Sequence, residues 1–398
     1  MKILRLHVEG FRSLKDVSWE PDDLNVIIGP NATGKSNLLR LLELISVSAR
    51  GGLPKYVQRW GGMDALAWDG RAEQIAFTVK GTPVEEQRDP KKDSLTYEVI
   101  MRRLGKGGFY TIAHELLGNF YQVETGQRSE PFKLLERRDL RGVVFDENDR
   151  RLTVPSESVI EDETLLSLAA GPFSHNRFIP PFRGELAAWC VYHDLHVNAD
   201  AGIRQPLVTR REKRVEADGQ NLVSVLHTLY EDDREFKNDT DTAMRAAFGD
   251  DYDELAFPPA ADQRIQLGLK WKSLRRAQPA GELSDGTLRF LLLLAVLASP
   301  TPAPVIALDE PETGLHPSML PIIAEHAVDA SRRAQVIFTT HSPQFLDAFH
   351  DTKPTTTVTK WTGGATSLKK LTGEALDYWL REYSLGALFR SGELEAME

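Results

Sequence analysis

Apolar and charged residues alternate from Met1 to Glu9, the pattern of a strand with one buried face. Leu24–Ile28 is a short apolar run of strand type, and from Asn37 to Ile45 the apolar residues fall at helical spacing. Candidate strands follow at Gln74–Val79 and Leu95–Arg102. Gly61-Gly62 and Asp69-Gly70 mark turns, and the charged stretch Gln87–Asp93 reads as a solvated hairpin tip. Arg183–Asp194 and Asn221–Glu231 read as helices, the second opened by the turn and cap of Asp218-Gly219-Gln220-Asn221 and carrying Leu222, Val225, Leu226 and Leu229 on one stripe. Asp239–Phe248 predicts a further helix that stops at Gly249, and Ile265–Trp271 alternates like a strand.

Phe290–Leu297 is apolar throughout but too short to cross a bilayer, so it predicts a buried helix. Beyond it come a strand at Val305–Leu308, a helix near Ser318–Ser331, a strand at Gln335–Thr339, and a hairpin from Thr355–Thr359 and Thr366–Leu371. Strands and helices interleave, which makes this an α/β chain. It divides into a first lobe over 1–112, an insertion over 113–275 that is mixed but helix-rich and has no heptad repeat, and a second lobe over 276–398.

Composition narrows the partners. Hydrophobic residues at 41% and charged residues at 27% suit a folded globular protein. The net charge of −10 supplies no general positive field, so any contact with DNA must be local, with Arg210–Arg214 and Lys272–Arg276 as the basic clusters available. A single cysteine, Cys190, excludes an internal disulfide and a cysteine-rich metal site, and its apolar neighbours predict buried packing. The N-terminus lacks the apolar core of a signal peptide, so a cytoplasmic location with no membrane partner is expected.

The chemistry is concentrated in four short stretches. Residues 29–36 read GPNATGKS between the Leu24–Ile28 strand and the helix that follows, the context a phosphate-binding loop needs. Gly29 and Gly34 let backbone N–H groups turn in around a triphosphate, Lys35 reaches the outer phosphates, and Ser36 offers a hydroxyl to Mg²⁺. The cofactors expected are therefore ATP and Mg²⁺. Val305–Leu308 ends in Asp309 and Glu310, whose side chains should point apart: Asp309 to the metal, Glu310 to the water that attacks the γ-phosphate. Leu283-Ser284-Asp285-Gly286-Thr287 opens the apolar helix and forms a second anion cradle at a helix N-terminus. Two cradles cannot share one triphosphate from the same face, so Ser284 and Gly286 should cap the ATP of a second copy in a two-fold homodimer. The strand Val336–Thr340 ends in His341, placed to sense the γ-phosphate.

GPNATGKS, LSDGT, VIALDEPETGLHP and TTHSP, in this order, resemble the P-loop NTPases known as ABC-type ATPase heads, of the RecF and SMC group and in particular its stand-alone bacterial ATPases. Leu6–Leu14 and the ending Leu376–Gly386 resemble the same group. The resemblance implies a mixed sheet with a largely helical insertion and ATP hydrolysis as the activity. It implies that Arg12, Ser13, Gly29, Asn31, Gly34, Lys35, Ser36 and Asn37 bind the nucleotide, and that Ser36 and Asp309 hold the metal. Glu310 is then the catalytic base, His341 the switch histidine, and Glu312–His316 the segment at the dimer seam. Asp285 stands where the group has a second glycine, and Gln58 and Gln74 are the candidates for its metal-sensing glutamine.

An ATP-driven dimeric switch follows, serving DNA maintenance, repair or anti-phage defence through a separately encoded effector. An ATPase subunit of an ABC transporter is the main alternative, disfavoured by the insertion. A nucleotide-dependent scaffold with slow hydrolysis is another. A built-in nuclease of the OLD type is not expected, because the residues after His341 hold no Asp-x-Asp pair.

Overall fold

The computed structural model describes residues 1–82, 92–105, 107–121, 132–146, 151–168, 176–208, 210–260, 263–349, 352–371 and 384–396. Residues 87–91 of the expected hairpin tip and 376–383 of the family-like ending lie outside them. The chain forms two compact units, each assembled from separated stretches: 1–22, 27–189 and 356–370 make the first, and 23–26, 190–355 and 371–398 the second.

In the first unit the described residues form an antiparallel sheet whose strands lie in the order Leu14–Trp19, Ile3–Phe11, Gln74–Gly81, Lys92–Leu104, Phe109–Tyr121, Phe132–Arg138, Arg141–Phe145, Arg151–Val154. The opening alternation is real but changes phase. Ile3, Leu6 and Val8 are all buried, because a register irregularity between Ile3 and Arg5 shifts the strand by one residue against Gln74–Gly81. The helix Lys35–Arg50 buries Leu38, Leu39, Leu41, Leu42, Leu44 and Ile45 and packs on the helix Ile179–Ala187, where Ser46 Oγ donates to the Ala187 carbonyl at 3.2 Å. Apolar residues on nearly every side of a helix require such enclosure.

In the second unit Cys190–Tyr192, Val305–Asp309 and Gln335–Thr339 pair in parallel. The Val336 amide donates to the Asp23 carbonyl at 2.8 Å, which brings the start of the Leu24–Ile28 strand to the same edge. The predicted helix over Arg183–Asp194 ends early: Ala187 is its last helical residue and Val191-Tyr192 become a buried strand. A short buried run cannot be told from helix by period alone, and pairing with Val305–Asp309 decides the matter. Asp285–Leu297 is the apolar helix expected, packed against Leu320–Ser331. Arg234–Phe248 begins earlier than expected because Asp233 caps it, its side chain accepting from the Phe236 amide at 3.0 Å. Among the described residues no helix is long and apolar enough to cross a membrane.

Candidate functional site

The strand Leu24–Ile28, of which only Ile27 and Ile28 belong to the first unit, is buried at every residue and delivers the chain into the phosphate loop. Gly29 has φ +142° and Gly34 φ +101°, and both are hemmed in: a Cβ on Gly29 would lie 2.5 Å from the Thr359 carbonyl oxygen, and one on Gly34 2.6 Å from Ser13 Oγ. Backbone conformation and space therefore both select glycine. Ala32 takes the left-handed conformation without being glycine, at φ +66°. The Thr33 hydroxyl donates to the Pro30 carbonyl at 2.8 Å and closes the loop on itself. Lys35, only 5% exposed, donates to the Gly29 carbonyl at 2.8 Å and the Pro30 carbonyl at 3.0 Å, so the ammonium lies inside the ring of the loop. The first turn of the helix carries no acid, which leaves its positive dipole end open to an anion.

Arg12, Ser13, Gly34 and Asn37 come together here. Asn37 Nδ2 donates to Ser13 Oγ at 2.8 Å and its Oδ1 accepts from Arg12 Nη1 at 3.5 Å, while the Thr366 hydroxyl donates to the Thr33 carbonyl at 2.7 Å and lies 2.7 Å from Ser13 Oγ. Arg12 has a left-handed backbone (φ +48°), with its amide donating to the Leu66 carbonyl at 2.7 Å. Its guanidinium lies 5.0 Å from the centroid of Trp60, and Arg40 lies 3.9 Å from the same ring. Burial, then the neighbouring Arg40 charge, lowers the Arg12 pKa. Asn31 is exposed and Ser36 half-buried. Gln58 and Gln74 are exposed.

In the second unit Asp309 closes the Val305–Asp309 strand opposite Thr339, whose hydroxyl donates to Asp309 Oδ1. His193 Nδ1 stands 3.5 Å from Asp309 Oδ2. Glu310 turns away from these groups. Its backbone is left-handed (φ +47°), its amide donates to the Thr339 carbonyl at 3.1 Å, and its Oε1 lies 3.0 Å from His341 Nδ1. The two acids do point apart, but a strained residue just past the strand end does it, at a cost on the order of 1–3 kcal/mol. Glu312 accepts from the Thr340 hydroxyl, and burial raises its pKa above the ordinary carboxylate value.

Ser284 caps the helix Asp285–Leu297, its Oγ accepting from the Thr287 amide at 3.1 Å. A Cβ on Gly286 would meet the Gly314 carbonyl oxygen at 2.7 Å, so this glycine lets the cradle pack against the Glu312–His316 segment. Asp285 is not loose beside the cradle. Arg204, whose side chain is 7% exposed, pairs with its carboxylate and also donates to the carbonyls of Leu283 at 2.7 Å, Ala280 at 3.2 Å and Val197 at 2.8 Å.

Arg204 and His193 lie outside the four sequence motifs. Arg204 lies in the stretch without motifs and carries no local signal. His193 could have been found: Val191-Tyr192-His193-Asp194 repeats in short form the apolar run ending in polar residues seen at Ile306–Glu310. The basic clusters are engaged with their own chain, Arg211 with Asp232 and Arg276 with Glu282, both at 2.9 Å. Cys190 is half-buried on its strand.

A family model described as "AAA domain, putative AbiEii toxin, Type IV TA system" matches residues 24–347. An OLD nuclease of Thermus scotoductus (strain ATCC 700910 / SA-01) is 21% identical over 355 residues, a match covering 86% of this chain. The chain spans only 59% of that relative's length. Among solved structures, an SMC head bound to the C-winged helix domain of ScpA gives a TM-score of 0.56 at 13% identity, covering 95% of this chain and 100% of that one. An Smc head with an extended coiled coil, bound to the C-terminal domain of ScpA derived from Pyrococcus furiosus, gives 0.52 at 13% identity, covering 96% and 99%. At such identity the likeness is one of fold.

Proposed function

We propose that this chain, which belongs to the AAA family matched over residues 24–347 and is a RecF/SMC-like ATPase, works as an ATP-driven dimeric switch. The Gly29–Ser36 loop takes the triphosphate, and Lys35 exchanges its two loop carbonyls for phosphate oxygens. Ser36 and Asp309 offer hard oxygen donors of the kind Mg²⁺ prefers, and the ion, when bound, neutralises phosphate charge. Glu310 accepts the proton of the attacking water, and His341 orients its carboxylate. Ser284 and Gly286 of a second copy cap the nucleotide. ATP closes the pair and hydrolysis opens it.

The observation that carries this reading is the Glu310–His341 contact at 3.0 Å, held by a left-handed backbone conformation that costs energy. The output of such a device is motion, passed to DNA or to a separate effector, with DNA maintenance or defence against phage as the setting. Glu310→Gln decides the matter. Light scattering should show a dimer accumulating in ATP while turnover falls by about 10²–10⁴-fold, the worth of a positioned general base. A variant that stays monomeric while hydrolysing ATP like the parent would refute the switch, and unchanged cellular behaviour would favour a scaffold instead.

A further inference from the structure

Two helix starts in this chain are built to face an anion, and they differ in one respect. The first turn of Lys35–Arg50 carries no acid, whereas Asp285 stands in the first turn of Asp285–Leu297. We propose that Asp285 and Arg204 form a charge latch on this second cradle: the carboxylate holds the cradle against the triphosphate that a second copy presents, and the guanidinium offsets enough of that charge for closure to occur. The latch presupposes the dimeric switch and sets how readily its two copies close.

Ser284 leaves the cradle half open. Its Oγ accepts from the Thr287 amide at 3.1 Å and its carbonyl from the Leu288 amide at 3.1 Å, so the amides of Asp285 and Gly286, the first of the helix, remain for an external acceptor. The positive end of the helix dipole lies there as well. A carboxylate at the same place already satisfies that dipole and repels any further anion.

Arg204 is tied in place to meet this acid. Nε donates to the carbonyls of Val197 at 2.8 Å and Asn198 at 2.9 Å, and Nη1 to those of Leu283 at 2.7 Å and Ala280 at 3.2 Å, which leaves Nη2 to pair with Asp285 Oδ1. The side chain is 7% exposed, and a guanidinium so fixed cannot follow Asp285 elsewhere. Arg289, one turn along the helix, does not replace it, because its charge is shared with Asp194 and Glu312 as well as Asp285.

The latch acts on closure and not on the free chain. With its side chain 66% exposed, Asp285 is screened by water, and its charge costs the lone molecule little. A second copy that covers the cradle excludes that water, and like charges set against each other in an interface weaken it strongly.

Sedimentation of the Glu310→Gln chain in ATP, with and without changes at the latch, tests this. Asp285→Asn removes the charge at an exposed position and should tighten the ATP-dependent dimer by about 10-fold, whereas Asp285→Glu, which keeps the charge, should stay within about threefold of the parent. Arg204→Ala should weaken the dimer by about 10-fold more in the chain that keeps Asp285 than in Asp285→Asn, because only there does it unmask a carboxylate. A purely structural Arg204 would lose the same factor in both. An Asp285→Asn dimer no tighter than the parent, equal tightening by Asp285→Glu, or equal losses from Arg204→Ala in the two backgrounds would overturn the latch while the switch stands. Absence of an ATP-dependent dimer in Glu310→Gln itself would overturn both.

Discussion

Replacing Arg204 with alanine should loosen the start of the Asp285–Leu297 helix by about 3 kcal/mol. The guanidinium contacts four carbonyls and one carboxylate. Asp285 is 66% exposed, so its attraction is screened and contributes little. Nε divides itself between the carbonyls of Val197 at 2.8 Å and Asn198 at 2.9 Å and counts as one bond; Leu283 and Ala280 supply two more. Three bonds at about 1 kcal/mol each give the total. Hydrogen exchange measures it locally. The amides of Thr287 and Leu288, which donate to Ser284 Oγ and the Ser284 carbonyl, should exchange about 150-fold faster in Arg204→Ala. Arg204→Lys keeps the charge but not the planar fork, and should recover only about 1 kcal/mol. Protection in Arg204→Ala within about fivefold of the parent, a difference under about 1 kcal/mol, would refute the view that Arg204 holds the cradle.

Gly34→Ala should abolish ATP binding in calorimetry, because its methyl meets Ser13 Oγ and its backbone must stay left-handed; an affinity within about twofold of the parent would contradict the steric argument. His326, on the Leu320–Ser331 helix, has its pKa held below the ordinary 6.5 by burial, against opposing pulls from Asp239, Glu325 and Asp329. A base with a lowered folded pKa contributes stability that is present above about 6.5 and lost as pH falls through the folded value. Melting temperature should therefore drop between pH 7 and 5 (~2 pH units of titration) less steeply in His326→Gln than in the parent, and parallel curves would exclude His326 as the cause.

Much of the chemistry could be read without coordinates because it is local. Gly29, Gly34, Lys35 and Ser36 lie within eight successive positions, and the conformation they need is dictated by their own backbones. The apolar runs that became Leu24–Ile28, Asp285–Leu297, Val305–Asp309 and Gln335–Thr339 were visible for the same reason: period and burial repeat over a few residues. The failures came where neighbours far along the chain decide. Val191-Tyr192 became strand only through pairing with residues beyond position 300.

The sequence by itself determined the phosphate loop, the acidic strand end, the capped apolar helix and their order, since glycine conformations, caps and apolar period act over one or two turns of chain. Only the tertiary structure decided how their polar side chains are held. Arg204 grips a loop about 80 residues away, His193 reaches Asp309 across 116 positions, and Glu310 is aimed by a left-handed backbone at His341. A polar side chain's partner is chosen by where the folded backbone brings it, and no local pattern records that choice.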